Sequence, residues 1–471
     1  MADDKNSLAG PAFEKLPTEL LVEIFEHARP SNVEYAGRMH NYFYPVALAQ
    51  VCKGWRTTVF GTPTLWANIR ITGKHGLKQI EAMVHNYLER SKTCPLSITG
   101  FLDDISFLEG VIDCLIKPCA GRIQRFASVT DGPPDITPTL LTAIESLDFP
   151  ILRDVEIYSK RPCPFPFKHT FGRSSPLLRR CRLSRTPLLP SLPSNLVILD
   201  YYTFEEFEPH NHYIDDLLEF LPHAAHSLEH LRFRPPTIRT LPMPDRPKII
   251  LQNLKSLLIE GSHFIMGHMF VPNLTYFAGI DISSGITNVD EMFDDFSAPK
   301  LQSIRFYNVS LRPLLARHDL PSIFPQLESV VLVNCTDESA FIRLLEPHKP
   351  EEPPSLEKGS EHRLKTKNPF SELKELAISD TQNWTSLQAV IERRLENGDK
   401  SLKKILLPRK RKFVSDPDTP VQHPTQWLPE RGIEFAQYKV GNALKTVMTV
   451  PPEIRNDFRG GRIYSYFLWP H

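Results

Sequence analysis

What most constrains this chain is a short signature, apolar residues at offsets 0, 3 and 5, that returns along most of its length. Clear instances are Leu152/Val155/Ile157, Leu178/Cys181/Leu183, Leu228/Leu231/Phe233, Leu254/Leu257/Ile259, Leu301/Ile304/Phe306, Leu327/Val330/Leu332, Leu373/Leu376/Ile378 and Leu402/Ile405/Leu407, with Leu196/Leu199/Tyr201 and Leu274/Phe277 weaker. At 41% apolar residues a random window meets three such positions roughly one time in fifteen, so the number of matches decides nothing. The spacing decides more. Starts at 152, 178, 196, 228, 254, 274, 301, 327, 373 and 402 are separated by 18 to 46 residues, mostly 20 to 29 with a few insertions, with helical patterns such as 214–221 and 387–395 between them. A strand followed by a helix, repeated, predicts a solenoid whose units bury their apolar faces on their neighbours. An ordinary α/β domain whose parallel strands read alike is the alternative. Proline supports short elements, since the 43 prolines outnumber the 21 glycines and each proline interrupts a helix or strand interior.

The array resembles irregular leucine-rich repeats, whose period is about 20 to 29 residues. It departs from them at offset 8, where the expected asparagine is mostly missing and Cys335 is the one permitted occupant found. In a strand that turns offsets 3 and 5 inward, offsets 2, 4 and 6 face the other way. Those positions hold Asp154, Glu156, Tyr158, Arg180, Arg182, Asp200, Tyr202, His230, Arg232, Arg234, Glu260, Arg305 and Tyr307. Arginine pairs bidentately with carboxylate or phosphate and tyrosine offers rigid area with a polar tip, so Arg180, Arg182, Tyr202, Arg232, Arg234, Arg305 and Tyr307 are the candidate substrate-binding residues, suited to an acidic or phosphorylated segment. The alternative is a solvated face whose arginines are balanced by Asp154, Glu156, Asp200 and Glu260.

The N-terminal part reads differently. Leu20, Leu21, Ile24, Phe25 and Ala28 share one helical face over about 17–28, with Pro17 in the first turn and Glu19 near the positive end of the helix dipole. A second short apolar helix opens at Pro45, and a third follows Val51-Cys-Lys-Gly-Trp-Arg56 before a stop at 61–66. Three short helices make a marginal core, so this unit should lean on another surface. Leu16, Pro17, Glu19, Leu20, Leu21, Ile24 and Phe25, then Val51, Cys52, Lys53, Trp55 and Arg56, then Leu65-Trp66, resemble an F-box, in particular the F-box-like variant of the family expanded in mushroom-forming fungi. The long spacer 29–44 departs from the compact form of the motif. The resemblance implies docking onto the Skp adaptor of a Skp, cullin and F-box ubiquitin ligase through Leu16, Pro17, Leu20, Leu21, Ile24 and Val51, with Trp55 packing the motif. The alternative is a non-ligase scaffold or interaction protein whose helices merely cap the array.

The expected fold class is therefore α/β: a small three-helix unit, then an irregular leucine-rich-repeat-like solenoid of parallel strands and short helices. The expected organisation is a disordered 1–12, a helical domain at 13–66, the solenoid at 67–431 with mobile insertions near 346–368 and 409–426, and an aromatic C-terminal cap at 432–471. With 55 basic and 55 acidic residues no global field recruits nucleic acid or membrane, and no stretch is long and apolar enough to span a bilayer. The N-terminus lacks the apolar core of a secretory signal, so the expected compartment is reducing, cytoplasmic or nuclear. There the seven cysteines stay free and the Asn-X-Ser/Thr triplets stay bare. Arg409-Lys-Arg-Lys412 is a candidate import signal or a solvated loop. No phosphate-loop, dinucleotide, zincin or hydrolase-elbow motif occurs, and His210, His212, His223 and His226 lack partners at ligand spacing, so neither catalysis, cofactor nor metal is expected.

Overall fold

The computed structural model describes residues 16–28, 44–73, 76–161, 175–186, 192–202, 212–234, 247–261, 264–281, 298–315, 320–346, 370–379, 384–409 and 423–438. They divide into two compact units that meet in sequence at Pro193 and Ser194. The predicted disordered N-terminus, 29–43 of the spacer, 347–368 and 410–422 of the insertions and the aromatic tail after Tyr438 lie outside the described residues, while the end of the second insertion, expected to be mobile, begins the helix Pro424–Glu430.

The first unit opens with four short helices, α1 (Thr18–His27), α2 (Tyr44–Ala49), α3 (Lys53–Gly61) and α4 (Pro63–Trp66). Their core is small and aromatic. Phe25, 1% exposed, meets Trp55 edge to face at 4.7 Å, and the Tyr44 hydroxyl donates to the Phe25 carbonyl at 2.6 Å. Cys52 caps α3 by accepting from the Trp55 amide, and Arg56 Nε donates back to the Ala49 carbonyl. The predicted leaning is present within this unit: Trp66 is buried, donates from its indole to the Val59 carbonyl, and packs edge-on at 5.2 Å against Tyr87 of the next helix, α5 (Leu77–Ser91). Burying three large aromatic rings supplies what the short helices lack, about 1.5–3 kcal/mol for each large side chain.

From Asn68 the chain builds parallel strands separated by helices. In the first unit the strands Asn68–Thr72, Leu96–Leu102, Ile123–Thr130, Asp154–Ser159 and Arg180–Ser184 lie side by side in chain order. In the second, Ile198–Tyr202, His230–Arg234, Ser256–Glu260, Tyr276–Ile280, Ser303–Tyr307, Ser329–Val333, Glu375–Ala377, Lys404–Pro408 and Glu434–Tyr438 do the same. Sequential parallel order with a crossover between neighbours is that of a solenoid-like repeat. All ten predicted starts lie two residues before a strand. The strand Glu434–Tyr438 continues the sheet into the stretch expected to be a cap.

Each rung is built alike, and the prolines explain how. The residue three before the start is buried in most rungs, as at Phe149, Ser175, Leu251, Val271, Ala298, Phe324 and Phe370, and its carbonyl accepts from the start leucine's amide at 3.0–3.3 Å. Pro150, Pro176, Pro272, Pro299 and Pro325 occupy the second position of that turn, where a fixed φ is an advantage. The next two amides usually share one carbonyl of the preceding rung: Lys255 and Ser256 bond to Glu229, Gln302 and Ser303 to Thr275, Glu328 and Ser329 to Gln302. In five rungs the chain leaves the strand at offset 7 through a left-handed residue, Arg185, Gly261, Asp281, Asn308 or Asn334, with φ between 49 and 87°. Here the recurring feature is a conformation at offset 7, and the residue type varies.

Candidate functional site

Two surfaces carry the residues singled out from the sequence. On α1 the apolar positions split between two sides of the helix. Leu21 and Phe25 point inward, at 6% and 1% exposure, while Leu20 and Ile24, one turn apart, are 46% and 41% exposed. Pro17, at the N-cap, is exposed, Leu16 is half-buried, and Val51 just after α2 is 60% exposed. Pro17, Leu20, Ile24 and Val51 are thus presented, whereas Leu21 belongs to the helical core. An apolar side chain fully exposed to water forgoes about 1.5–3 kcal/mol of burial, and this small unit leaves several at least partly exposed.

The strand face is more internally bonded than its composition implies. Register places Asp154 beside Arg180 and Glu156 beside Arg182. Arg180 pairs with Asp154 at 2.7 Å, and Glu156 receives Arg125 at 2.8 Å and Arg182 at 3.1 Å. In the second unit Glu260, its side chain 4% exposed, receives Arg232 at 2.6 Å and Arg234 at 3.6 Å. The Arg232 guanidinium also lies over the Tyr202 ring at 4.8 Å, and that of Arg305 over Tyr276 at 5.6 Å. Burial raises the Tyr276 hydroxyl above its ordinary pKa, so the ring meets Arg305 neutral. Of the four predicted arginines in these ion pairs, Arg180 and Arg234 keep the most side chain in contact with solvent, 34% and 31%.

Farther along, the same face changes character. Leu258, Tyr276, Ala278, Ile280, Val331, Val333, Ala377 and Tyr438 form a buried apolar cluster, with Tyr307 and Leu406 packed against it. Tyr307, a predicted binding residue, therefore belongs to an apolar neighbourhood. Reading offsets 2, 4 and 6 for polar residues alone misses this. The signal was in the continuous apolar runs Val330–Val333 and Leu257–Ile259, which mark strands buried on both faces.

Residues 13–72 match the family model described as F-box-like. The N-terminal helices are an F-box-like domain. The match runs through the strand Asn68–Thr72, so the F-box-like domain and the first strand of the sheet are continuous in sequence. No curated protein matches the chain. An F-box-like domain supports a role as an adaptor in ubiquitin ligase complexes and suggests binding of a Skp-type partner, and the exposed residues Pro17, Leu20, Ile24 and Val51 all belong to it.

Among the described residues no group of three His, Cys, Asp or Glu side chains is placed to hold a metal ion, and no helix is long and apolar enough to cross a membrane. His223 contacts the Glu219 carbonyl one turn back at 3.0 Å. Cys52, Cys94, Cys114, Cys119, Cys181 and Cys335 are free thiols, and burial pushes Cys335 up to about 12.

Proposed function

We propose that this chain is the substrate-recognition adaptor of a Skp, cullin and F-box type ubiquitin ligase, docking the Skp adaptor through its F-box-like domain and a protein substrate through its repeat array. The observation that carries the reading is the division of α1, with Leu21 and Phe25 closing the domain's own core while Pro17, Leu20 and Ile24 stay in solvent. Val51 adds a further exposed apolar residue, and Leu16 contributes its half-exposed edge. The mechanism is proximity: holding a substrate lysine beside a charged ubiquitin carrier raises effective concentration and asks no chemistry of this chain. The array's leucine-rich-repeat-like rungs supply the substrate surface. Within it, the residues proposed to meet an acidic segment are Arg180 and Arg182 in the first unit and Tyr202, Arg232, Arg234, Arg305 and Tyr307 in the second, with Arg182 and Arg232 also holding Glu156 and Glu260.

The test is co-purification with a purified Skp adaptor. The intact chain is expected to capture it stoichiometrically, and Leu20→Asp with Ile24→Asp to lose it while keeping its circular dichroism, because both side chains are already solvated. Equal capture by that variant, or none by the folded intact chain, overturns the reading. Leu21→Asp is the contrasting control, expected to unfold the domain.

A further inference from the structure

Within the first unit, α2, α3, α4 and α5 enclose an open cleft of about 420 Å³ that none of the exposed adaptor-face residues lines. Its floor and walls are apolar and aromatic: Phe60, Trp66, Met83 and Tyr87. Phe60 stacks on Trp66 at 5.8 Å yet remains 43% exposed, an aromatic face turned to solvent inside a concavity. At the rim stand Arg56 and Arg90. The Arg90 guanidinium lies 4.3 Å from the Phe60 ring centre and 5.0 Å from that of Trp66, and Arg56 spends its Nε on the Ala49 carbonyl.

The charge balance separates this cleft from the strand face. There Arg180, Arg182, Arg232 and Arg234 each meet a carboxylate of a neighbouring strand. Here, among the described residues, neither Arg56 nor Arg90 forms an ion pair, and no Asp or Glu lines the cleft. Two cations beside a half-exposed aromatic ring, with their carboxylates missing, define the complement: a bulky apolar side chain flanked by acidic groups. The chain's own 29–43 and 439–471 do not fit, since basic residues outnumber acidic ones in both.

We propose that this cleft is a second docking site, which takes a short acidic segment of a partner protein and inserts its aromatic or aliphatic side chain against Phe60, Trp66 and Met83. The proposal goes beyond adaptor docking and does not rest on it. Association there is expected to depend on both the apolar anchor and the flanking charge.

The experiment measures fluorescence polarisation of a labelled acidic peptide, acetyl-Asp-Glu-Leu-Phe-Asp-Glu, on the intact chain, beside a counterpart with lysines in place of the acids. The acidic peptide is expected to bind, weakening with salt, and the basic one not. Arg56→Glu with Arg90→Glu should weaken the acidic peptide at least tenfold and admit the basic one. Arg56→Gln with Arg90→Gln, which retains bulk over the rings, gives the loss without the exchange if charge reversal harms folding. Leu20→Asp with Ile24→Asp should leave peptide binding unchanged, so failure here and failure of the adaptor reading are told apart. Equal binding of both peptides, no binding at about 1 mM, or binding that appears only after residues 1–15 are removed would each overturn the proposal, the last by giving the cleft to the chain's own N-terminus.

Discussion

Arg394 permits the most quantitative prediction. It sits in the helix Trp384–Glu396 with its side chain 4% exposed, pairs with Asp399 at 2.6 Å, and donates to the Leu345 carbonyl at 3.3 Å, the Phe370 carbonyl at 3.1 Å and the Ser401 hydroxyl at 3.4 Å. Burial lowers its pKa and the Asp399 carboxylate works against that, so the charge is retained by its partner. Arg394→Ala would leave Asp399, 7% exposed, buried without its cation and take the guanidinium donor from the Leu345 carbonyl, while the Phe370 carbonyl keeps the Leu373 amide. Breaking one side of such a pair costs about 3–5 kcal/mol, whereas replacing both partners by apolar side chains of like volume is often close to neutral. Because a repeat array transmits stability mainly between neighbouring rungs, the loss should be local. Native-state hydrogen exchange of the strands Glu375–Ala377 and Lys404–Pro408 should accelerate by about a hundredfold to a few thousandfold, using ~1.4 kcal/mol per decade, while Arg180–Ser184 serves as the unaffected reference. The paired replacement Arg394→Met with Asp399→Leu should recover most of the protection. Acceleration below tenfold, or an equal change in all three strands, would refute the argument that this guanidinium is a local clamp.

Two more predictions concern the rung beside it. Glu338, 2% exposed, accepts from the Ser379 amide at 3.1 Å, the Ser379 hydroxyl at 2.7 Å and the Cys335 amide at 3.2 Å. Glu338→Gln faces one of these donors with an NH2 group, so urea denaturation followed at this region should shift by about 1–3 kcal/mol, and an unshifted midpoint would show the carboxylate is dispensable. The Cys335 thiol keeps its proton up to about 12, against about 9 when unfolded, so the stability due to its burial is present below 9 and lost as pH rises toward 12. At pH 8 it should resist iodoacetamide in the native protein and react once unfolded, as read by mass spectrometry; rapid native labelling would contradict the raised pKa of this half-buried thiol.

What was legible from the sequence was whatever a leucine must do. Leu152, Leu254 or Leu373 has to sit where strand meets core, and the offset pattern located ten strands from such residues alone. The strands Asn68–Thr72, Leu96–Leu102 and Ile123–Thr130 were obscured because they depart from that leucine signature, and Glu434–Tyr438 because its rung starts at Gly432. The left-handed exits were invisible as a motif, since Arg185, Gly261, Asp281 and Asn308 share a φ and no chemistry. On α1 the amphipathic count gave the helix but not which apolar residues face out, because Leu20 and Leu21 are adjacent and only packing against Trp55 and its neighbours sorts them. The cleft was beyond reach for a simpler reason: its walls come from four helices, and no local pattern joins Arg56 to Arg90.

The turn before most strands and the left-handed residue after five of them have a consequence for how such a chain can change length. In an α-helix one inserted residue rotates everything beyond it by about 100°, so length and orientation are locked together. Here the rungs that start at Leu274, Leu301 and Leu327 each begin at their own turn and end at their own left-handed exit, and the rung at Leu373 begins at the same turn although 46 residues, rather than 27, separate it from the start before it. The strands keep count only of themselves. Lengthening a connection costs the slowly growing entropy of a larger loop, about 0.6 kcal/mol per doubling, and leaves the alignment of the next strand untouched. Insertions and deletions, the coarsest edits a gene can suffer, therefore fall where the fold does not measure.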